Sequence, residues 1–115
     1  MNLPRGKHAQ VERAKIIDYL LSIDHPDGRS KAAFFYQFGF SPAKWQILAD
    51  ALIVVGASNP VVSKRETRYG TQYVVDGALP TSSGRTPVVR TIWIIDHEDA
   101  DPRLVTAYPS LGERV

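Results

Sequence analysis

Two groups of residues have types and spacings that could do chemistry. The first is the run His25-Pro26-Asp27-Gly28-Arg29-Ser30-Lys31. It falls where a helix is expected to begin, and there the free backbone N–H groups and the positive end of the helix dipole attract anions. Arg29 and Lys31 add positive charge, and histidine is the side-chain type that exchanges protons near neutrality. Together His25, Arg29 and Lys31 could bind a phosphodiester and move a proton. The same residues also have a plain structural reading. In it His25 caps the first helix, Asp27 caps the second, and the two cations are solvated. The glycine spacing does not fit a phosphate-binding P-loop.

The second group is Arg90, Thr106 and Tyr108. Thr86 to Ile95 and Arg103 to Tyr108 read as paired antiparallel strands. If Ile94 faces Leu104, then Ile92 faces Thr106 and Arg90 faces Tyr108. Side chains alternate with a period of two, so an arginine, a hydroxyl and a phenol fall on one sheet face. They would form a phosphate-binding surface. Val89, Thr91, Trp93, Ile95, Val105 and Ala107 fall on the other face, which should carry the helices. A slip of one residue would scatter the trio. Here too a structural reading stands alongside: the arginine solvated or paired with a carboxylate, Thr and Tyr present because strands favour them.

Other constellations carry less. His97 lies among Asp96, Glu98, Asp99 and Asp101, but no spacing matches a calcium loop and a charged hairpin loop explains the run. No metal site and no cofactor is expected. His8 sits in a polar N-terminal stretch. No Ser-His-Asp arrangement, GxSxG elbow, HExxH helix or nucleotide-cofactor fingerprint is present. An ADP-ribosylating or other small-molecule enzyme therefore has little support.

The elements that must position these residues follow from periodicity. Val11 to Ile23 reads as an amphipathic helix, with Ile16, Leu20 and Ile23 at i, i+4 and i+7 and with Ile17 and Leu21 widening the stripe. Asp24 to Gly28 breaks it. A second helix starts near Asp27 to Ser30 and carries Ala32, Phe34, Phe35 and Phe38 to a stop at Gly39. Ser41-Pro42 opens a third, which turns Trp45, Leu48, Ala49 and Leu52 inward and ends at Gly56. After Asn59-Pro60 the pattern becomes β: Val61 to Thr67, Tyr69 to Leu79, Thr86 to Ile95 and Arg103 to Tyr108. Short connections make antiparallel hairpins. The expected fold is α+β, about three N-terminal helices packed on one face of a four-stranded antiparallel meander.

Length and composition agree. The 115 residues fit one domain, with an ordered core from about 11 to 109 and mobile termini. A hydrophobic fraction of 43% and a charged fraction of 23% are ordinary for a globular chain. There is no cysteine, which removes disulfides, zinc ribbons and a thiol nucleophile. No stretch approaches the roughly 18 apolar residues that span a bilayer. The polar N-terminus is no signal peptide, so cytoplasmic residence without a membrane partner is the default. A net charge of +2 and a pI near 9.0 permit a nucleic-acid partner without demanding one. Lys64, Arg65, Arg68, Arg85 and Arg90 lie along the strand region and would give a local basic surface.

Several blocks also resemble a known family. They are Tyr19-Leu20-Leu21, the run from His25 to Phe35, Phe38-Gly39-Phe40, the run from Tyr69 to Gly77, the run from Gly84 to Ile95 and the run from Pro102 to Pro109. Together they resemble a bacterial domain-of-unknown-function family over roughly Val11 to Pro109. That family in turn is similar to the barnase–EndoU–colicin–RelE (BECR) superfamily of ribonuclease toxins. The resemblance implies a metal-independent endoribonuclease of toxin type, with RNA as substrate and a cognate antitoxin or immunity protein as partner. By position His25 and Lys31 match the helical contribution to such a site, and Arg90, Thr106 and Tyr108 the sheet contribution. Arg29 would help to bind substrate. A 2′-hydroxyl nucleophile within the RNA needs neither metal nor cysteine. The alternative is a non-catalytic antitoxin, immunity or RNA-binding module, which would use the same surface without turnover.

Overall fold

A computed structural model describes residues 1–110. The first helix, α1 (Arg13–Lys15), runs straight into a π-helical turn, Ile16–Leu20, in which the Leu21 N–H reaches back to the Ile16 carbonyl at 2.8 Å. The wider turn moves the buried stripe to Ile16, Leu20 and Leu21. The helix ends there, so Ile23 is 61% exposed and not part of the expected stripe.

Helix α2 (Arg29–Tyr36) buries Ala32 and Phe35, and the turn after it buries Phe38 before Gly39 takes a left-handed φ of 92°. Ser41 and Pro42 open a short 3-10 turn, Pro42–Lys44, which leads into α3 (Trp45–Ser58). Gly56 does not end α3. A Cβ there would lie 2.7 Å from the Trp93 indole, so the glycine lets the helix lie against that ring. The stop comes from Asn59-Pro60, where the Asn59 amide donates to the Val55 carbonyl at 2.9 Å.

The strands are β1 (Val61–Thr67), β2 (Gly70–Ala78), β3 (Val88–Ile95) and β4 (Arg103–Pro109), in sheet order β1-β2-β3-β4 with every pair antiparallel. Three helices pack on one face of this meander, as the sequence predicts. The core face holds Tyr73, Val75, Val89, Thr91, Trp93, Leu104 and Ala107. Behind it Trp93 donates its indole N–H to the Thr91 hydroxyl at 2.7 Å, and that hydroxyl donates to the Val75 carbonyl at 2.8 Å. Among the described residues no buried side-chain polar atom lacks a partner.

Residues before the expected start of the core also belong to it, since Leu3 and Ala9 are buried. The N-terminal segment bridges to Pro60 through Asn2 and to Arg103 through Gln10. The expected mobile C-terminus, beyond residue 110, lies outside the described residues. No helix among those described is long and apolar enough to cross a membrane.

Candidate functional site

The β3–β4 register is as expected at two places and not at a third. Arg90 faces Tyr108 and Ile92 faces Thr106, but Ile94 faces Arg103, and Leu104 faces Trp93. A bulge at Val105 accounts for the difference. It lets Leu104 and Ala107, three apart, both point into the core. Val105 is therefore only half-buried, and Leu104 takes the core place that alternation assigned to it.

Arg90, Thr106 and Tyr108 share the sheet face opposite the helices, and the row extends to β2. Asp76 faces Arg90, and its two carboxylate oxygens accept from Nε and Nη2, each at 2.9 Å. The Asp76 hydrogen bond is the first cause that raises the Arg90 pKa above its ordinary value; Tyr108 adds to it and burial opposes it. The guanidinium is thus charged and held in place. Its solvent exposure of 40%, against 22% for Asp76, makes this a half-exposed pair.

The helix-entrance run is held by its histidine. His25 Nδ1 accepts the backbone N–H groups of Asp27 at 3.0 Å and Gly28 at 3.1 Å. His25 therefore caps the turn before α2, not the first helix, and the N-cap of α2 is Gly28, with no side-chain cap from Asp27. A Cβ on Gly28 would sit 2.0 Å from the Tyr19 carbonyl oxygen, so only glycine fits this crossing. With Nδ1 accepting twice, the proton of the neutral ring belongs on Nε2. The imidazole then presents an N–H donor outward. To act as a base it would have to take a proton on the nitrogen that holds the turn.

Arg29 and Lys31 are both engaged. Arg29 donates from Nε to the Ile23 carbonyl at 3.3 Å, and Lys31 Nζ donates to the Asp27 carbonyl at 3.0 Å.

Tyr19 connects the two groups. Its ring meets the His25 ring edge-on at 5.0 Å between centroids, and Lys31 Nζ lies 5.4 Å from its centroid. Its hydroxyl shares a 2.9 Å hydrogen bond with the Thr106 hydroxyl. Lys15 Nζ approaches the same ring, also at 5.4 Å. His25, Lys31 and Thr106 therefore gather around one tyrosine. Arg90 and Tyr108 form the next row of the sheet, about 7 Å along the strand from Thr106. Arg29 stands aside, toward Ile23.

Sequence reasoning missed Tyr19, Lys15 and Asp76 as members of this surface. Asp76 could have been found by registering β2 against β3, which places it opposite Arg90. The Tyr19–Thr106 contact has no sequence signal, because it depends on how α1 docks at the edge of β4.

The other cations do not make one basic patch. Lys64 and Arg65 are neighbours on a strand and point to opposite faces: Lys64 toward the Tyr73 ring, Arg65 toward Gln72. A larger hollow, about 690 Å³, lies between the N-terminal segment and the β1–β2 hairpin, with walls that include Arg5, Glu66 and His97. None of the predicted site residues lines it. Much of its charge is already paired, Arg5 with Asp101 and Asp96 with Arg103. Among the described residues no three His, Asp or Glu side chains are grouped to hold a metal ion.

The architecture defines an α+β domain in which the edge strand of a meander meets a helical turn at a tyrosine. The chain belongs to the family described as Domain of unknown function (DUF6883), whose model matches residues 2–111. In fold it is similar to a chain of the contact-dependent growth inhibition toxin–immunity protein complex from Klebsiella pneumoniae 342. That likeness has a TM-score of 0.68 and covers 94% of this chain and 98% of the other, at 15% identity. No curated protein matches the sequence.

Proposed function

We propose that this domain works in a toxin–immunity system as the RNA-cleaving partner, by attack of the substrate's own 2′-hydroxyl. The observation that carries the reading is the Tyr19–Thr106 hydrogen bond. It links Lys31 at the helix entrance, through Tyr19, to the sheet-face row. The structural likeness to a chain of a toxin–immunity complex supports a place in such a system, and the resemblance to BECR ribonuclease toxins supports the cleaving role.

In this reading Lys31, and Arg90 from the next row, stabilise charge on the phosphorane. His25 Nε2–H donates a hydrogen bond to the departing 5′-oxygen. The O2′–P bond forms as the P–O5′ bond breaks, the 2′-hydroxyl proton passes to solvent, and the departing 5′-oxygen takes a proton from solvent. The products are a 2′,3′-cyclic phosphate and a 5′-hydroxyl. His25 thus serves as a hydrogen-bond donor and not as a base, because its Nδ1 is taken by the turn. Tyr108, beside Arg90, and Thr106 supply hydroxyl hydrogen bonds.

A second reading, a non-catalytic immunity or binding module, is favoured by the Asp76–Arg90 pair, which satisfies that arginine without a ligand. Purified protein incubated with total RNA in EDTA separates the two. Cyclic-phosphate ends made by wild type, and lost by about 100-fold or more in His25→Asn, are expected for the nuclease. Asparagine keeps an acceptor for the Asp27 and Gly28 N–H groups but has no N–H where Nε2 lies. Intact RNA together with neutralisation of a co-expressed toxin would replace the nuclease reading with the second one.

A further inference from the structure

We infer that Lys15 and Lys31, assembled around Tyr19, form a binding site for adjacent backbone phosphates of single-stranded RNA, with Tyr19 as the positioning residue. The inference rests on the RNA-directed reading above and adds two residues to it.

The two ammonium groups come from different helices and each lies 5.4 Å from one ring centroid. They are therefore within about 11 Å of each other, and each lies within the roughly 6 Å over which a ring attracts an ammonium. Neither has a carboxylate within salt-bridge distance among the described residues, whereas Arg5, Arg90 and Arg103 are all paired. Of the two carboxylates three positions from Lys15, Glu12 turns to Arg103 at 3.7 Å, and Asp18 forms no ion pair among the described residues. The negative face of the ring offsets the repulsion between two such cations but does not neutralise them. A bound anion would.

The remaining donors suit a phosphate. Lys31 uses one N–H on the Asp27 carbonyl, which leaves two of its three ammonium protons. Tyr19 and Thr106 share one hydrogen in their mutual bond, so the other hydroxyl proton is free to be donated. A hollow of about 280 Å³ opens beside Lys15 and Tyr19, walled also by Glu12 and Ala14. Tyr19 is presented by the π-helical turn, an uncommon device that is enriched where a side chain must be re-aimed for function. Lys15, Lys31 and the Tyr19–Thr106 hydroxyl pair all present donors, which suit a phosphate.

The test is fluorescence anisotropy of a 2′-O-methyl oligoribonucleotide, which binds but cannot be cleaved, over a series of salt concentrations. For single strands, log K falls with log salt at a slope of about 0.7 per phosphate neutralised. Lys15→Ala and Lys31→Ala should each reduce that slope by about 0.7, and Lys15→Arg should restore it. Tyr19→Leu keeps both charges but loses their support, so affinity falls several-fold. Tyr19→Phe keeps the ring and loses only the bond to Thr106, so most of the affinity remains. Circular dichroism confirms that each variant is folded. Unchanged slopes in both lysine variants, or no binding by wild type, overturn the inference. Slopes as expected with no cleavage of natural RNA would sink the nuclease reading and leave this site standing. Cleavage with unchanged slopes would do the reverse.

Discussion

Replacing Thr91 by valine tests the packing that supports the site from behind. Thr91 is wholly buried on the core face of β3, and its hydroxyl serves both the Trp93 indole N–H and the Val75 carbonyl. Valine has nearly the same shape but no hydroxyl. The indole N–H would then lie in a sealed interior without a partner, at a cost of about 1–3 kcal/mol. The lost bond to the carbonyl adds about 1 kcal/mol, and the extra buried methyl returns about 0.8 kcal/mol. The net expectation is a loss of about 2 kcal/mol, or roughly 8–10 °C in Tm for a chain of this size. Urea unfolding should show a lower midpoint at unchanged slope. Thr91→Ser keeps the hydroxyl and gives up one methyl, so it should cost only about 1 kcal/mol. If valine proves as stable as wild type, or more stable than serine, the hydroxyl is not satisfying the indole and the account of this core is wrong. RNA binding should survive in both variants that fold, since Thr91 points away from Arg90.

Four further substitutions probe other contacts. Gly28→Ala drives a Cβ to 2.0 Å from the Tyr19 carbonyl oxygen, so the turn must move; a loss of about 3 kcal/mol or more is expected in thermal unfolding. Gly56→Ala should lower the Tm despite a gain of about 1 kcal/mol in helix propensity, because the clash with the buried Trp93 ring costs about 1–3 kcal/mol. A double-mutant cycle on Asp76→Ala and Arg90→Ala should give a coupling of about 1 kcal/mol, limited by the exposure of the arginine. A coupling near zero in urea titrations would mean that the bidentate geometry adds nothing.

Much of the fold was legible because its signals are local. The four strands fall close to where β-branched and aromatic residues cluster, and Asn59-Pro60 marks the change from helix to sheet. The errors have two causes, a partner distant in sequence and a local departure from regular helix. Gly56 looks like a helix stop until Trp93 is placed against it, and Ile23 looks like core until the π-helical turn re-phases the stripe. At the candidate site, alternation placed Arg90 beside Tyr108 and put Thr106 on the same face. It did not reveal the Val105 bulge, because one extra residue leaves no mark in a strand of β-branched residues. His25 was recognised as a residue of interest, but the role of its Nδ1 follows from two backbone N–H groups whose direction only the folded turn sets.

The way the N-terminal segment is tied down has a consequence for synthesis. Leu3 and Ala9 enter the core, and the Gln10 backbone is held by Pro102 and Leu104, through bonds of 2.8 and 3.0 Å. Gln10 thus waits for partners translated more than ninety positions later. Chains usually fold from the N-terminal end as they emerge. Here Gln10 cannot be seated until β4 has been made. Nascent chains halted before Pro102 should therefore lack the edge strand that supplies Thr106 and Tyr108, and with it the surface assigned here to RNA.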